Sequence, residues 1–574
     1  IANSTVNDVA MTVLPNAPID AATGLAVPTI AVATAGGVSV IKDDGTVVDI
    51  TRASATEIAS VDFYEGYLVI GNSNVGAVWY YDYIPSSDEV ISPSNGHIEY
   101  YDSGFSNRDV PAYIGYQNTK TAGTYIGTTG ATEEGLTAVD FNNTDYTKSS
   151  TAWITSDYNT GWMNGDIKLA TLSDTDDTDV TGSDLVDSAT LYATARITSL
   201  VYTDGSSTVG IDDDEATDDG YAALTMGGLT SGKSYVITAV GDQTYTPQAG
   251  GYTNFVNIDG ATIAIDVSLQ GTTTQQSITF TAGTSNRIFF YSGYSGGTLT
   301  YTWTVRLAEE DRSVNDNGLQ VFGTVTKNPV ATGADLVAYS GFSNSNYLQQ
   351  PYNADLDFGT GDFCMMGWFK VNSGVISQAL MLRKTTLDNT RNGYGLDLDG
   401  SSRLRFHTRS GSNTDLFSTV SVADGVWKHV VAYRQNGSMY MFLNGVLNTS
   451  STGTVRDLDN STANLTMGFD QVSGGFALTG GSLALMRISE TIPSPEQIAK
   501  IYEDEKFLFQ ENSQATLYGS SDAVTALAYD DTTELLHVGT SAGRSVFQGL
   551  RRVDNTTTAV SAAISASNNL VGEQ

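Results

Sequence analysis

With 574 residues the chain exceeds what one hydrophobic core organises, and at roughly 150 residues per domain it divides into three or four units, each large enough to fold without staples. Its 28 Lys and Arg against 64 Asp and Glu leave a formal charge of −36, which opposes contact with phosphate backbones and anionic membranes, so neither specific nucleic-acid binding nor membrane insertion is expected. The single Cys364, in the apolar setting GDFCMMGWF, excludes a disulfide scaffold and is expected to be a buried, inert thiol. No apolar run reaches transmembrane length, and a chain that opens on Ile1 without a secretion signal is expected to begin inside a longer or processed polypeptide.

Abundant Gly, Tyr, Thr, Ser, Asn and Asp, with few helix-forming runs, predict an all-β protein. In residues 1–119 the stretches TIAVATAGGVSVI (29 to 41) and YLVIGNSNVGAVWYY (67 to 81) each read as an alternating strand, a glycine-bounded turn and a second alternating strand. LLHVGTSAGRSVFQ (535 to 548) repeats the pattern far downstream. A unit of about 40 residues holding three or four short strands is the signature of propeller blades, so the fold expected is an interrupted β-propeller-like domain with inserted β-sandwich domains. The chain returns to the propeller over 511–574, and further blades are degenerate, lie outside this sequence or come from another subunit.

Residues 120–180 are polar and irregular and read as a linker or extended arm. Over 181–311 the runs LYATARITSLVY, SYVITAVGD, TIAIDVSL, SITFTAG and TYTWTVRL are strands at turn-separated intervals, which predicts one sandwich. A second sandwich runs over 312–510, with strands in CMMGWFKV, GYGLDLDG, LRFHTRSG, KHVVAYRQ, ANLTMGFD and GSLALMRIS. One helix is predicted in SPEQIAKIYEDEKFLF, with Ser494 as N-cap, Pro495 at its first position, Gln497 completing a capping box, and Ile498, Ile501 and Tyr502 on one apolar face.

The stretch WKHVVAYRQNGSMYMFLNG (427 to 445) resembles the most recognisable segment of concanavalin A-like, laminin G-like jelly rolls, in which a Trp, a His two residues on, a turn Gly and a closing Asn-Gly recur at this spacing. The matching residues are Trp427, His429, Gly437, Asn444 and Gly445, and Arg487, Ile488 and PSPEQI are similar to the family's closing strand and helix. Where the family commonly has an acidic residue three positions before that Arg, this chain has Ala484. The preceding sandwich resembles the carbohydrate-binding jelly rolls attached to glycan-active proteins. The join VRLAEEDRSVNDNGLQVFGTV and the following NYLQQPYNADLDFGTGDFCMMGWF are similar to large tail proteins of tailed bacteriophages, particularly marine short-tailed ones, whose nozzles carry propeller-like domains.

Candidate chemistry is sparse. His97, His407, His429 and His537 share no metal-ligating spacing, and His429 is expected to be a buried, hydrogen-bonded structural residue. A glycosidase needs two carboxyls about 5 Å apart, commonly from an E-x-D-x-x-E run on a strand. That run is absent, and YEDE (502 to 505) is expected to be a solvated helix face. Asp212, Asp213 and Asp214 in GIDDDEATDDG, and the acids of SDTDDTDVTGSD, are either solvated loops or calcium ligands. VWYYDY (78 to 83) is expected to fill a core, whereas FFYSGYSGG, with Tyr291 and Tyr294, reads equally as core and as a glycan-stacking platform.

The expected function is that of a non-enzymatic virion structural protein of a phage tail, nozzle-like or fibre-like, whose sandwiches project to host-surface glycans. Its implied partners are other virion tail proteins and copies of itself, six in a nozzle or three in a fibre. Two alternatives stand beside this reading: a glycan depolymerase, and an architectural decoration without ligand.

Overall fold

The computed structural model describes residues 2–51, 58–64, 67–72, 77–81, 84–90, 98–100, 120–122, 124–129, 134–142, 145–195, 199–202, 208–212, 220–242, 255–259, 266–268, 275–283, 287–292, 298–385, 392–471, 475–530, 532–557, 565–567 and 570–572. Among them the chain is all-β, with one α-helix, Pro495–Glu505, and short 3-10 turns.

Four antiparallel meanders frame the chain. The first is built from Val6–Thr12, Thr29–Thr34, Gly37–Ile41 and Val47–Thr51, and the second from Ile58–Tyr64, Tyr67–Asn72, Ala77–Tyr81 and Ile98–Tyr100. Alternation sends Ala31, Val38, Val40 and Ile50 of one, and Ile58, Val61, Leu68, Ile70, Trp79 and Tyr81 of the other, into a common core. Asn7 Nδ2 donates to Ile58 O at 2.7 Å and the Val61 amide to Asp8 Oδ2 at 3.1 Å, stitching the two sheets. The third meander holds Tyr125–Thr128, Gly135–Asp140 and Ser150–Ile154 between shorter edges, and the fourth holds Ala526–Asp530, Leu535–Thr540, Gly543–Gln548 and Arg551–Thr556. These two meet through Tyr125 and Tyr529, whose rings lie 5.5 Å apart, and at Gly127, where a Cβ would strike Val524. Each hairpin expected over 29 to 41, 67 to 81 and 535 to 548 is present.

Both sandwiches leave the chain between the third and fourth meanders, and the points of departure and return lie side by side. The Leu517 amide donates to Thr155 O at 2.9 Å, and the fully buried Asn159 donates through Nδ2 to Ala515 O at 2.7 Å and Leu550 O at 3.1 Å.

Residues 120–180, expected as a linker, instead carry the third meander and two strands of the larger sandwich. Ile167–Thr171 pairs with Gly481–Ser489, and Val180–Gly182 with Leu319–Pro329. Composition hides these strands because their polar residues are interior: Thr137, Ser150, Thr151 and Asn164 are buried, and Asn164 donates to Lys148 O and Ser150 Oγ.

The first sandwich stacks two five-stranded sheets, one ordered Ala189–Ala195, Gly220–Met226, Arg287–Ser292, Phe255–Asp259, Asp266–Ser268. The other is ordered Ser199–Tyr202, Thr208–Asp212, Thr298–Glu309, Ser234–Gly241, Gln276–Thr281. Phe290, Tyr301 and Trp303 fill the space between them, with Phe290 at 5.3 Å from both other rings.

The second sandwich has one sheet running from Gly481–Ser489 through Phe363–Val371, Lys428–Gln435 and Ser438–Leu443 to Val446–Thr452. Facing it is a seven-stranded sheet ordered Leu319–Pro329, Tyr347–Gln350, Asn464–Met467, Ala379–Lys384, Gly393–Leu398, Arg403–Ser410, Ser412–Ser421. Leu319–Pro329 enters both sheets, so the hydrogen-bonded structure closes on itself as a barrel-like sandwich. Phe363, Met365, Tyr394, Leu396, Leu404, Phe406 and Met441 form its core. Cys364 lies on the other side of its strand, fully buried, and burial pushes its thiol pKa well up, as expected of an inert residue.

Candidate functional site

The sequence signature serves the fold. Asn436-Gly437 and Asn444-Gly445 each occupy a two-residue hairpin with positive φ at both positions, which is why Asn-Gly stands there. Trp427 Nε1 donates to Val330 O at 2.8 Å, and its ring lies 5.0 Å from Phe509. Asn444 accepts from the His429 amide through Oδ1 at 3.0 Å, and Gly445 passes close under Tyr502 of the helix.

His429 is buried as expected but not hydrogen-bonded: neither ring nitrogen has a partner among the described residues. The ring sits instead between Trp368 at 5.2 Å and Tyr502 at 6.3 Å. Burial, opposed by Glu505 and assisted by Arg487, brings its pKa down to about 4, so the imidazole is neutral. Ala484, opposite Trp368, is fully buried in the same apolar cluster.

Of the YEDE acids Glu503 is solvated as expected, but Asp504 and Glu505 are not. Glu505 has no exposure; burial alone would raise its carboxyl pKa, but Arg487, with help from Trp368 Nε1 at 2.7 Å, holds it below the ordinary range. Asp504 accepts from Trp162 Nε1 at 2.8 Å. The third meander packs against this side of the helix, which the helix sequence alone does not reveal.

The group most suited to a ligand is on the outer face of the seven-stranded sheet. On Arg403–Ser410 the side chains of Leu404 and Phe406 enter the core, so Arg403, Arg405, His407 and Arg409 form the outward row. With Lys384, Asp397, Asp399, Asp470, Phe417 and Phe476, the three arginines line a cavity of about 410 Å³. Arg405 grips Asp397 in a bidentate pair, Nε to Oδ1 at 2.7 Å and Nη2 to Oδ2 at 2.5 Å. Arg403 holds Asp399 through Nε at 2.9 Å, and Lys384 holds Asp470 at 2.7 Å. Burial raises the Asp397 pKa against the pull of Arg405, and burial lowers that of Lys384 against the pull of Asp470. His407 lies under this layer, fully buried, with Nδ1 3.7 Å from Asp397 Oδ2; burial first, then Arg409, Lys384 and Arg405, drive its pKa well down. Phe476 stands at the rim with 42% of its surface exposed. Such a cavity has fixed charges, a partly exposed aromatic and room for one or two sugar rings.

Apart from His407, weighed and set aside as a metal ligand, none of these residues stands out in the sequence, where LRFHTRSG reads only as a strand. The available signal was a basic residue at every second position in a chain with 28 Lys and Arg.

Of the residues that were singled out as ligand contacts, the described residues include Asp212 and the backbone of Tyr291. Asp212 ends the strand Thr208–Asp212 and accepts from Ser199 Oγ at 3.2 Å, while Asp213 and Asp214 lie outside the described residues. Tyr291 falls on the strand Arg287–Ser292 opposite Tyr221, with its side chain outside the description, as is all of Tyr294. His97 also lies outside the described residues. Trp79 and Tyr81 fill the core, as expected. Among the described residues no group of three or more His, Cys, Asp or Glu is placed to hold a metal ion.

A second cleft, of about 730 Å³, lies between the two sandwiches. There Lys327 Nζ stands 2.6 Å from Asp174 Oδ2 and 3.9 Å from Glu309 Oε2, and Tyr339 donates to Glu309. Burial raises the Glu309 pKa against the pull of Lys327.

Residues 342–499 match the family model of the concanavalin A-like lectin/glucanases superfamily. No curated protein matches the chain. Among solved structures it is similar to CBM40 of the Ruminococcus gnavus IT-sialidase bound to alpha2,3 sialyllactose, at 19% identity over 25% of this chain and 82% of that one, TM-score 0.22. It is also similar to domain 4 of AbnA, a GH43 extracellular arabinanase from Geobacillus stearothermophilus in complex with arabinotriose, at 16% identity over 34% and 92%, TM-score 0.28. The binding domain of Paraclostridial Mosquitocidal Protein 1 matches at 14% identity over 41% and 61%, TM-score 0.29.

Proposed function

We propose that this protein is a glycan-binding structural component of a virion, a phage tail protein without a catalytic step of its own. Its four meanders act as a propeller-like platform joined to other tail proteins or to copies of itself, and its two sandwiches project from that platform toward host-surface glycans. The observation that carries the glycan reading is the charged and aromatic cavity on the outer sheet face, within the region that matches the lectin family. The tail assignment is supported by the resemblance of 305 to 325 and 346 to 369 to phage tail sequences and by the position of both sandwiches in the chain between the third and fourth meanders. Modest single-site affinity suits this arrangement, because many copies on one particle multiply it.

A glycan array probed with the full chain, displayed multivalently, tests the binding reading. Hits are expected with the parent and lost with Phe476→Ala; an array blank at high valency sinks it. Locating the chain by electron microscopy in purified particles tests the tail assignment, and its absence from them sinks that part alone.

A depolymerase reading has one observation in its favour, the Asp174 and Glu309 carboxyls on either side of Lys327 in the cleft between the sandwiches. New reducing ends released from host polysaccharide, and abolished by Glu309→Gln, would replace the binding reading with this one.

A further inference from the structure

We infer that the cavity on the outer face of the seven-stranded sheet takes an acidic sugar, one carrying a carboxylate or a sulfate, rather than a neutral one. The inference rests on the reading of that face as the glycan site, and it comes from counting which hydrogen-bonding valences remain open there.

The acceptors are engaged. Both oxygens of Asp397 accept from Arg405, and Asp399 accepts from the Ser401 and Arg403 amides through Oδ1 and from Arg403 Nε through Oδ2. A sugar hydroxyl finds few accessible acceptors there, because the lone pairs that remain on Asp397 and Asp399 belong to side chains only 8% and 13% exposed.

The donors are open. Each guanidinium meets its carboxylate through Nε and Nη2, so the Nη1 groups of Arg403 and Arg405 have no hydrogen-bond partner among the described residues. Lys384 uses one of its three protons on Asp470. The pairs also fix the orientation of those donors, and Phe417, 4.8 Å beneath the Arg403 guanidinium, supports it from the other side. A carboxylate or sulfate is acceptor-only and complements such a set, while Phe476 offers an apolar face to the sugar ring.

The charge pattern agrees. Three cations on alternate outward positions of one strand, Arg403, Arg405 and Arg409, with the neutral His407 among them, repel one another and are unusual in a chain of −36. The fold brings Asp397 against Arg405 and Asp399 against Arg403, and all three arginines line the cavity.

The test uses the full chain and three polysaccharides: polygalacturonate for carboxylate, κ-carrageenan for sulfate, and dextran as the neutral member. At least one polyanion is expected to bind, with affinity falling steeply as salt rises from about 50 to about 300 mM, while dextran does not bind. Arg403→Gln and Arg405→Gln should each weaken that binding roughly tenfold or more. The polyanion that binds identifies the acidic group. Arg405→Gln leaves Asp397 buried without its partner, so thermal unfolding is measured on both variants, and Arg403→Gln, at a side chain 42% exposed, decides if the other fails to fold. Dextran binding as tight as the polyanions, and lost with Phe476→Ala, overturns the acidic-sugar inference and leaves the glycan site standing. Binding by none of the three, together with a blank array, overturns both. Undiminished polyanion binding by folded Arg403→Gln overturns the assignment to this cavity.

Discussion

Arg487 and Glu505 form a bidentate ion pair in which neither side chain is exposed, Nη1 to Oε1 at 2.6 Å and Nη2 to Oε2 at 3.0 Å. The pair joins the strand Gly481–Ser489 to the end of the helix. It also reaches the third meander, because the Trp162 amide donates to Glu505 Oε1 at 2.8 Å and Arg487 Nη1 donates to Trp162 O at 2.5 Å. A buried ion pair of this kind adds little net stability over an apolar packing of the same shape, but breaking one side of it is costly.

Arg487→Met is therefore expected to destabilise the fold by about 3–5 kcal/mol, since Glu505 remains buried without its cation. Arg487→Met/Glu505→Leu should recover part of that loss, though not all, because Trp368 Nε1 and the Trp162 amide then lose their acceptor. Urea unfolding of the three proteins measures this; a double variant as unstable as the single one would contradict the account.

Acid should weaken the fold through its buried histidines. His429 holds off its proton until about pH 4, whereas in the unfolded chain it titrates near 6.5. Its stabilising contribution is complete above about pH 6.5 and is lost as pH falls toward 4, reaching about 3 kcal/mol there. His407 acts with the same sign. His429→Leu should reduce the slope of stability against pH by about one proton between pH 6 and 4.5, and an unchanged slope would remove His429 from the explanation.

Gly445→Ala should cost about 1–3 kcal/mol. Its φ of 77° disfavours any side chain, and an added Cβ would stand 3.1 Å from the Tyr502 ring, too close unless the helix shifts. Gly425→Ala, at the same φ but with nothing within 4 Å, should cost less, and the difference between them in a melting experiment isolates the helix contact.

Asn159→Ala removes two donations to Ala515 O and Leu550 O and one acceptance from the Gly161 amide, all in the interior. A loss of about 2–4 kcal/mol is expected, with the junction of the third and fourth meanders loosening first. Hydrogen exchange at the Leu517 amide, which bonds to Thr155 O, reports on that junction, and protection equal to the parent's would show that Asn159 is not what closes it.

Much of the local structure was legible in the sequence because its causes are local. The capping box of Ser494 and Gln497 forms as read, and both Asn-Gly turns sit where two-residue hairpins require positive φ. The strands of 120–180 were not legible, because their Thr, Ser and Asn residues look like loop material until the chain supplies internal partners. Glu505 was misread for a related reason: its cation is a strand away, and the meander that covers it precedes it by more than three hundred residues. The cavity residues were overlooked because alternation explains their strand fully, and nothing local marks the outward half of it as a site.

Because the block from Thr155 to Leu517 departs and returns at neighbouring backbone positions, it is held like a pendant on a double cord. A pull applied to the second sandwich reaches the meanders through both cords and through the buried contacts of Trp162 with Arg487 and Glu505, so tension meets several anchored points in parallel instead of unravelling one end of the chain.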